Sequence, residues 1–250
     1  VIVGSFARTF RAFGAFVALA AMLPSVARAD ASTDVGIFAA IVAGQHVGSD
    51  NPVPVSGVVP GAALEVEQRI DRFRVHLEGI PTVGASGSSS GAYGHSSATL
   101  DLLNTVASYD VDANRRASVG LGYQLINLAN TNGNNGDVNQ VRIGSPIYAL
   151  ALRFPTSATH GFETNLMIDP NLRGVLNIFT YQDVARIPKP EQGAEIDYAA
   201  DYRWDRGPFV YRVGVRGLSY HTRNLDNGEL VDRNVGAGVS FDARYHFGAK

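Results

Sequence analysis

The sequence predicts an all-β chain, a transmembrane antiparallel up-and-down β-barrel of about ten strands, with eight and twelve as alternative counts. Three observations carry this. Apolar residues alternate with small or charged ones over runs longer than most soluble strands. Short turns alternate with long Gly/Ser/Asn/Pro-rich loops along the chain. Aromatic residues gather near the short-turn ends of the strands. Composition narrows the function classes. The chain has 250 residues and no cysteine, which excludes a disulfide scaffold and thiolate chemistry. Its 21 Lys+Arg balance 23 Asp+Glu, which excludes a basic nucleic-acid binder.

Residues 1–29 read as a signal peptide. Arg8 and Arg11 precede the apolar run Ala12 to Leu23, and Ala27-Arg28-Ala29 supplies a small-residue cleavage site. The apolar core is shorter than the roughly 20 residues a spanning helix needs. Cleavage is expected after Ala29, with Ala31 as the second choice. The expected barrel domain is 30–250.

The strands are expected at 35–46, 62–70, 73–80, 97–112, 116–130, 138–154, 160–169, 193–204, 208–222 and 232–247. The turn at Asp71-Arg72 would pair Ile70 with Phe73 and Val66 with Leu77. Next, Phe73, Val75 and Leu77 alternate with Arg74, His76 and Glu78. A three-residue turn at 113–115 would pair Tyr109 with Val119 and Ala107 with Leu121. Asn135-Gly136 as a tight turn would pair Tyr123 with Tyr148 and Leu121 with Leu150. Arg206-Gly207 would set Trp204 opposite Phe209 and Tyr202 opposite Tyr211. Asp226-Asn227-Gly228, with Gly228 left-handed, would pair Val213 with Phe241, Tyr211 with Ala243 and Phe209 with Tyr245. Every pairing keeps apolar faces together, as sheet parity demands. Leu172, Val175, Leu176 and Phe179 have helical spacing, so 170–192 is either a short helix or an extension of the preceding strand, and as a long loop it is the best candidate for a plug, lid or partner contact. An even strand count places both ends on the short-turn side.

Alternation assigns the two faces. Phe73, Tyr109, Phe154, Phe162, Trp204, Phe209 and Phe247 form a candidate membrane-interface girdle. A candidate charge network fills the lumen: Glu65, Glu67, Arg69, Arg74, Glu78, Glu195, Asp197, Asp201, Arg203, Arg212, Arg216, Asp242 and Arg244, with Asp110, Arg153 and Glu163 on the same face. About eight strands leave an interior just wide enough for side chains to fill, and ten add little. The interior is therefore expected to be mostly closed and ion-paired.

The last strand ends Val239-x-Phe241-x-Ala243-x-Tyr245-x-Phe247. With the N-terminal leader and the alternating strands across 35–247, this ending resembles the small bacterial outer-membrane β-barrels of the OmpA/OmpX-like type. That resemblance implies an outer-membrane location reached through the periplasm. It also implies that Phe241, Tyr245 and Phe247 carry an assembly signal read by the barrel-assembly machinery. Here Gly248-Ala249-Lys250 follow the terminal aromatic, a departure from the family pattern. The expected partners are the lipid bilayer and that machinery, with no nucleic acid, and an external ligand is not named by the residues. No cofactor and no metal are expected.

Function is first expected to be structural or surface contact, without catalysis. The alternative is a narrow, porin-like path for ions or solutes. A third reading is a rim hydrolase acting on lipid or peptide, for which His46, His95, His221, Ser96, Ser97 and Ser219 are the available groups. The three histidines lie on different connections without metal-ligand spacing, and Gly84 to Gly94 lacks the Gly-Lys-Ser/Thr end of a phosphate loop.

Overall fold

The computed structural model describes residues 31–48, 51–81, 85–88, 95–132, 138–179, 187–225, 228 and 230–248. The expected leader lies outside them. Eleven strand segments follow in order: β1 (Ala31–Gly48), β2 (Asn51–Ile70), β3 (Phe73–Pro81), β4 (Ala85–Ser88), β5 (His95–Asp110), β6 (Ala117–Asn132), β7 (Val138–Pro155), β8 (His160–Phe179), β9 (Ile187–Arg206), β10 (Phe209–Asn224) and β11 (Leu230–Gly248).

All pairings among the described residues are antiparallel; they join chain neighbours except β2 with β4 and β3 with β5, and β1 also pairs with β11, so the sheet closes on itself. β3 and β4 share one place in the wall. Both lie between β2 and β5, with Leu64 opposite Gly79 and Gly57 opposite Gly87 on one side, and Phe73 opposite Tyr109 and Ala85 opposite Ala98 on the other. The wall therefore has ten strand positions. Closure matters because a bilayer offers no water to backbone amides, and a closed ladder leaves no edge unpaired.

The expected boundaries change most in two regions. β2 begins at Asn51 rather than near 62, and its Pro60 sits opposite Ile41. Segment 170–192 is mostly strand: β8 runs to Phe179 and β9 starts at Ile187. The helical spacing of Val175 and Leu176 yields to ladder pairing with Arg142 and Val141. Pro170 is accommodated at a register irregularity between Asp169 and Leu172, where the Asp169 carboxylate accepts the Asn171 N–H at 2.9 Å.

Three expected registers are observed: Ile70 with Phe73, Tyr109 with Val119, and Phe209 with Tyr245. Gly228 is left-handed at φ 72°. Two registers differ by two residues. Tyr211 faces Trp204 rather than Tyr202, because Gly207-Pro208 form the turn, and Leu121 faces Tyr148 rather than Leu150. A slip of two preserves the faces, whereas a slip of one would exchange lumen and exterior, so parity is the more strongly constrained quantity.

The core is inverted relative to a soluble sandwich. Leu121 and Phe73 are each 63% exposed, while Glu65, Asp110 and Asn104 are fully buried. Outward residues of β10 read Phe209, Tyr211, Val213, Val215 and Gly217, then turn polar at Ser219, His221 and Arg223. β11 reads Phe247, Tyr245, Ala243, Phe241, Val239, Ala237 and Val235, then Arg233. The two apolar series cover nine residues in β10 and thirteen in β11, enough for the roughly 9–11 that a tilted strand needs to cross a bilayer. Most strands run 16–20 residues, so they continue well past that band on the long-loop side. Val66 and Leu77, paired across β2 and β3 on the outward parity, are exceptions: both are covered by neighbours rather than exposed.

Candidate functional site

Eight strands, β2, β3, β5 and β7 to β11, bring inward side chains into one connected set of charges. Asp110 of β5 receives Arg74 of β3 at 2.9 Å and lies 3.7 Å from both Arg69 and Arg153. Arg153 leads to Glu163 of β8 at 3.4 Å. Glu163 is a hub, because Arg203 and Arg212 also reach it, at 2.9 and 2.8 Å. Arg212 continues to Asp242 at 2.8 Å, and Asp242 to Arg244 at 2.7 Å. Arg244 pairs with Glu65 and approaches Glu67 at 3.5 Å. Arg216 of β10 then reaches Glu78 of β3 at 2.5 Å and Glu65 at 3.5 Å.

The pair Arg216–Glu78 spans four positions of a ten-position ring, so it nearly crosses the diameter. Between these side chains lies a cavity of about 100 Å³, lined by Glu67, His76, Asp197, Asp201, Arg212 and Ser240 among others. A polar cavity of this size has room for ordered water. Small inward residues make space for the long side chains: a Cβ on Gly214 would lie 2.1 Å from the Ala200 carbonyl oxygen and 2.3 Å from Asp201 Oδ1.

Most of the expected lumen charges enter this set. Asp201 enters through the Ser240 hydroxyl at 3.4 Å, and Asp197 lines the cavity. Glu195 is different. It is buried on the outer side of the network, away from the arginine chain, with Asp169 directly opposite on β8. Reading the sequence missed several participants. His76 lies inward, 3.6 Å from Glu78 and 3.9 Å from Glu67. Asp205 accepts from Arg203 at 2.9 Å. Asp34 and His246 meet at 2.6 Å across the β1–β11 seam. Each alternates in phase with apolar neighbours, so the parity that found the arginines was sufficient to find them.

Glu65, His76 and Glu78 bring ligand atoms within 4.8 Å of one another. Arg216 and Arg244 already neutralise those two carboxylates, and two guanidinium groups disfavour a further cation there. The rim hydrolase groups do not converge among the described side chains. Ser219 and His221 are exposed on the outward parity of β10. The side chains of His46, His95, Ser96 and Ser97 lie outside the described residues.

Of the seven girdle aromatics, six are exposed: Phe73, Tyr109, Phe154, Phe162, Phe209 and Phe247. Trp204 is half-buried instead, because it stacks between Tyr202 at 6.2 Å and Tyr211 at 5.5 Å on the same outer face. Ring contacts run without a break from Phe162 through Tyr202, Trp204, Tyr211, Phe209 and Tyr245 to Phe247. Phe241 joins at Tyr211.

No family model matches the sequence, and no curated protein does. Among solved structures, the chain is similar to the outer membrane protease OmpT of Escherichia coli, with TM-score 0.58 and 9% identity over 87% of this chain and 97% of that one. It also aligns with the β domain of the Bordetella autotransporter BrkA (TM-score 0.41, 11% identity, 88% and 100% covered) and with Ail of Yersinia pestis (0.33, 8%, 87% and 99%). At such identities the likeness concerns fold, and the first comparison carries it. Closed ladder, charged lumen, apolar exterior and that likeness together make this chain a β-barrel of the bacterial outer-membrane type.

Proposed function

We propose that the protein is an integral outer-membrane barrel with a structural or surface-contact role, its lumen closed by ion pairs. The observation that carries this is the Arg216–Glu78 pair reaching nearly across the ring, tied into the chain of charges from Asp110 to Arg244. A conducting path would have to part these contacts. Separating a buried pair leaves an uncompensated charge and costs about 3–5 kcal/mol. The long strands that continue past the apolar band carry the loops away from the bilayer, which suits contact with molecules outside. In this reading Phe73, Tyr109, Phe154, Phe162, Trp204, Phe209 and Phe247 sit at the membrane–water interface, and Phe241, Tyr245 and Phe247 direct assembly.

Insertion is tested by extraction and gel migration: a barrel resists salt, dissolves in detergent and migrates differently after boiling, whereas a salt-soluble chain with unchanged migration overturns the reading. Closure is tested in planar bilayers, where the native protein gives no discrete conductance steps. A second reading, a narrow ion path, draws on the 100 Å³ cavity among the charges. Discrete steps from the native protein would establish it in place of the first. OmpT is described as a protease; an activity of that kind in this chain would appear as peptide cleavage that is lost in His95→Ala or His221→Ala.

A further inference from the structure

The arginine chain stops short of the outer half of the lumen, and what lies beyond it has the opposite electrostatic character. At the level where the outward face turns from apolar Ile196 to exposed Gln192, the inward face of β9 presents Glu195. Asp169 of β8 is its direct register partner. Among the described residues, no Lys, Arg or His pairs with either carboxylate. Asp169 is held by the Ser145 hydroxyl and by the Asn171 N–H. Glu195 is 2% exposed, and neither of its oxygens accepts a hydrogen bond of ordinary geometry.

The surrounding polar groups are neutral and rich in oxygen. Gln124 of β6 lies three ring positions away and interacts with Glu195 across the lumen. Asn104 of β5 is the register partner of Gln124, and Ser145 of β7 is its partner on the other side. Gln124 is 1% exposed and Asn104 fully buried, yet the Asn104 amide has no hydrogen-bond partner and the Gln124 amide makes no bond of ordinary geometry beyond its approach to Glu195. Buried polar atoms almost always find partners in native proteins, and a cluster of orphans marks the place of an ion or water. Two carboxylates beside amide and hydroxyl oxygens, with no nitrogen or sulfur ligand, are the donor set of a hard cation.

We propose that Glu195 and Asp169, with oxygens of Gln124, Asn104 and Ser145, bind one divalent cation of the calcium class in the outer half of the lumen. Two negative charges match a divalent ion. Calcium accepts flexible shells of six to eight oxygens, whereas magnesium demands a near-ideal octahedron. The site lies beside the irregularity of the β7–β8 ladder between Ile143 and Tyr148. The site is distinct from the Glu65–His76–Glu78 cluster, where arginines serve as the counter-charges.

The test uses the whole folded barrel in zwitterionic detergent after chelator treatment, titrated with Ca²⁺ by calorimetry and with Tb³⁺ by tyrosine-sensitised luminescence. Tyr220 is the register partner of Glu195 on β10 and serves as the sensitiser. One saturable site is expected. Glu195→Gln and Asp169→Asn each weaken it at least tenfold, while Ser219→Ala on the outward face leaves it unchanged. Heat-modifiable migration confirms that each variant is folded. Absence of saturable binding by the native protein overturns the proposal, as does undiminished binding in folded Glu195→Gln, which would place the ion elsewhere. If Glu195→Gln does not fold, Asp169→Asn and the native titration decide.

Discussion

Glu163 shows what a single lumen residue contributes. Three guanidinium groups meet on its carboxylate. Glu163→Ala leaves Arg153, Arg203 and Arg212 without it, and about 3–5 kcal/mol of stability is expected to be lost. The readout is a lower temperature for loss of heat-resistant migration. Replacing the acid with its ion pairs intact elsewhere does not open a pore at once, since Arg212 keeps Asp242. Asp112 offers a contrasting case outside the bilayer, in the turn between β5 and β6. The N–H groups of Ala117, Arg116 and Asn114 hold its carboxyl below the usual carboxylate range. A lowered value in the folded chain means that the ionised form stabilises the turn. That contribution is complete above the ordinary carboxylate value and is lost as pH falls through the lowered one. The stability difference between the native protein and Asp112→Ala is therefore expected to shrink on acidification, as measured by amide exchange at Ala117. Which charges face inward was legible from alternation alone. Their partners were not, because Arg216 meets Glu78 across 138 residues of sequence, and a period of two fixes a face but not a height.

At the scale of the strand, glycine and tyrosine act together on the outer surface. Tyr198 lies over Gly217, its register partner, and a Cβ on that glycine would sit 2.3 Å from the ring. Tyr123 covers Gly144 on β7 in the same way, with its hydroxyl 2.8 Å from the Cβ position. Gly217→Val forces the ring off the strand. The expected cost is about 1–3 kcal/mol, and the increased tyrosine exposure should appear in near-ultraviolet circular dichroism. Strand existence was readable because alternation persists over many residues. Register was readable where a turn is defined by a positive-φ residue, as at Asp71 and Gly228, and less so where prolines intervene. Pro208 moves the β9–β10 turn by one residue, and Pro146 lies in the lapse between β7 and β8. For 170–179 the apolar spacing allows a short helix or an extension of the preceding strand, and the extension is what forms, because a neighbouring strand is available to satisfy its backbone.

For the whole molecule, the apolar exterior and the charged interior are two halves of one constraint. Lipid removes the hydrophobic reward for burying Leu or Phe in the lumen, so the lumen is filled by long polar side chains that can satisfy each other. A barrel with both Arg216→Ala and Glu78→Ala keeps its exterior and loses the link that spans the ring. It is expected to remain inserted and to show brief conductance steps that the native protein lacks. Outer-membrane fold and closed lumen were within reach of the sequence. The arrangement behind the proposed cation site was not, because Glu195, Gln124 and Asn104 come from three separate strands with no local motif. The seam between β1 and β11 carries a further consequence for biogenesis. Seventeen residue pairs run from Ser32 with Gly248 to Gly48 with Asp232, and they join the two most distant strands of the described chain. Until the final strand has emerged, every shorter intermediate is an open ribbon with two raw margins. Such margins template pairing with other copies. Production of this protein therefore carries its greatest hazard of clumping before the last twenty or so residues arrive, and a truncation just ahead of β11 should accumulate as insoluble material rather than as a smaller cylinder.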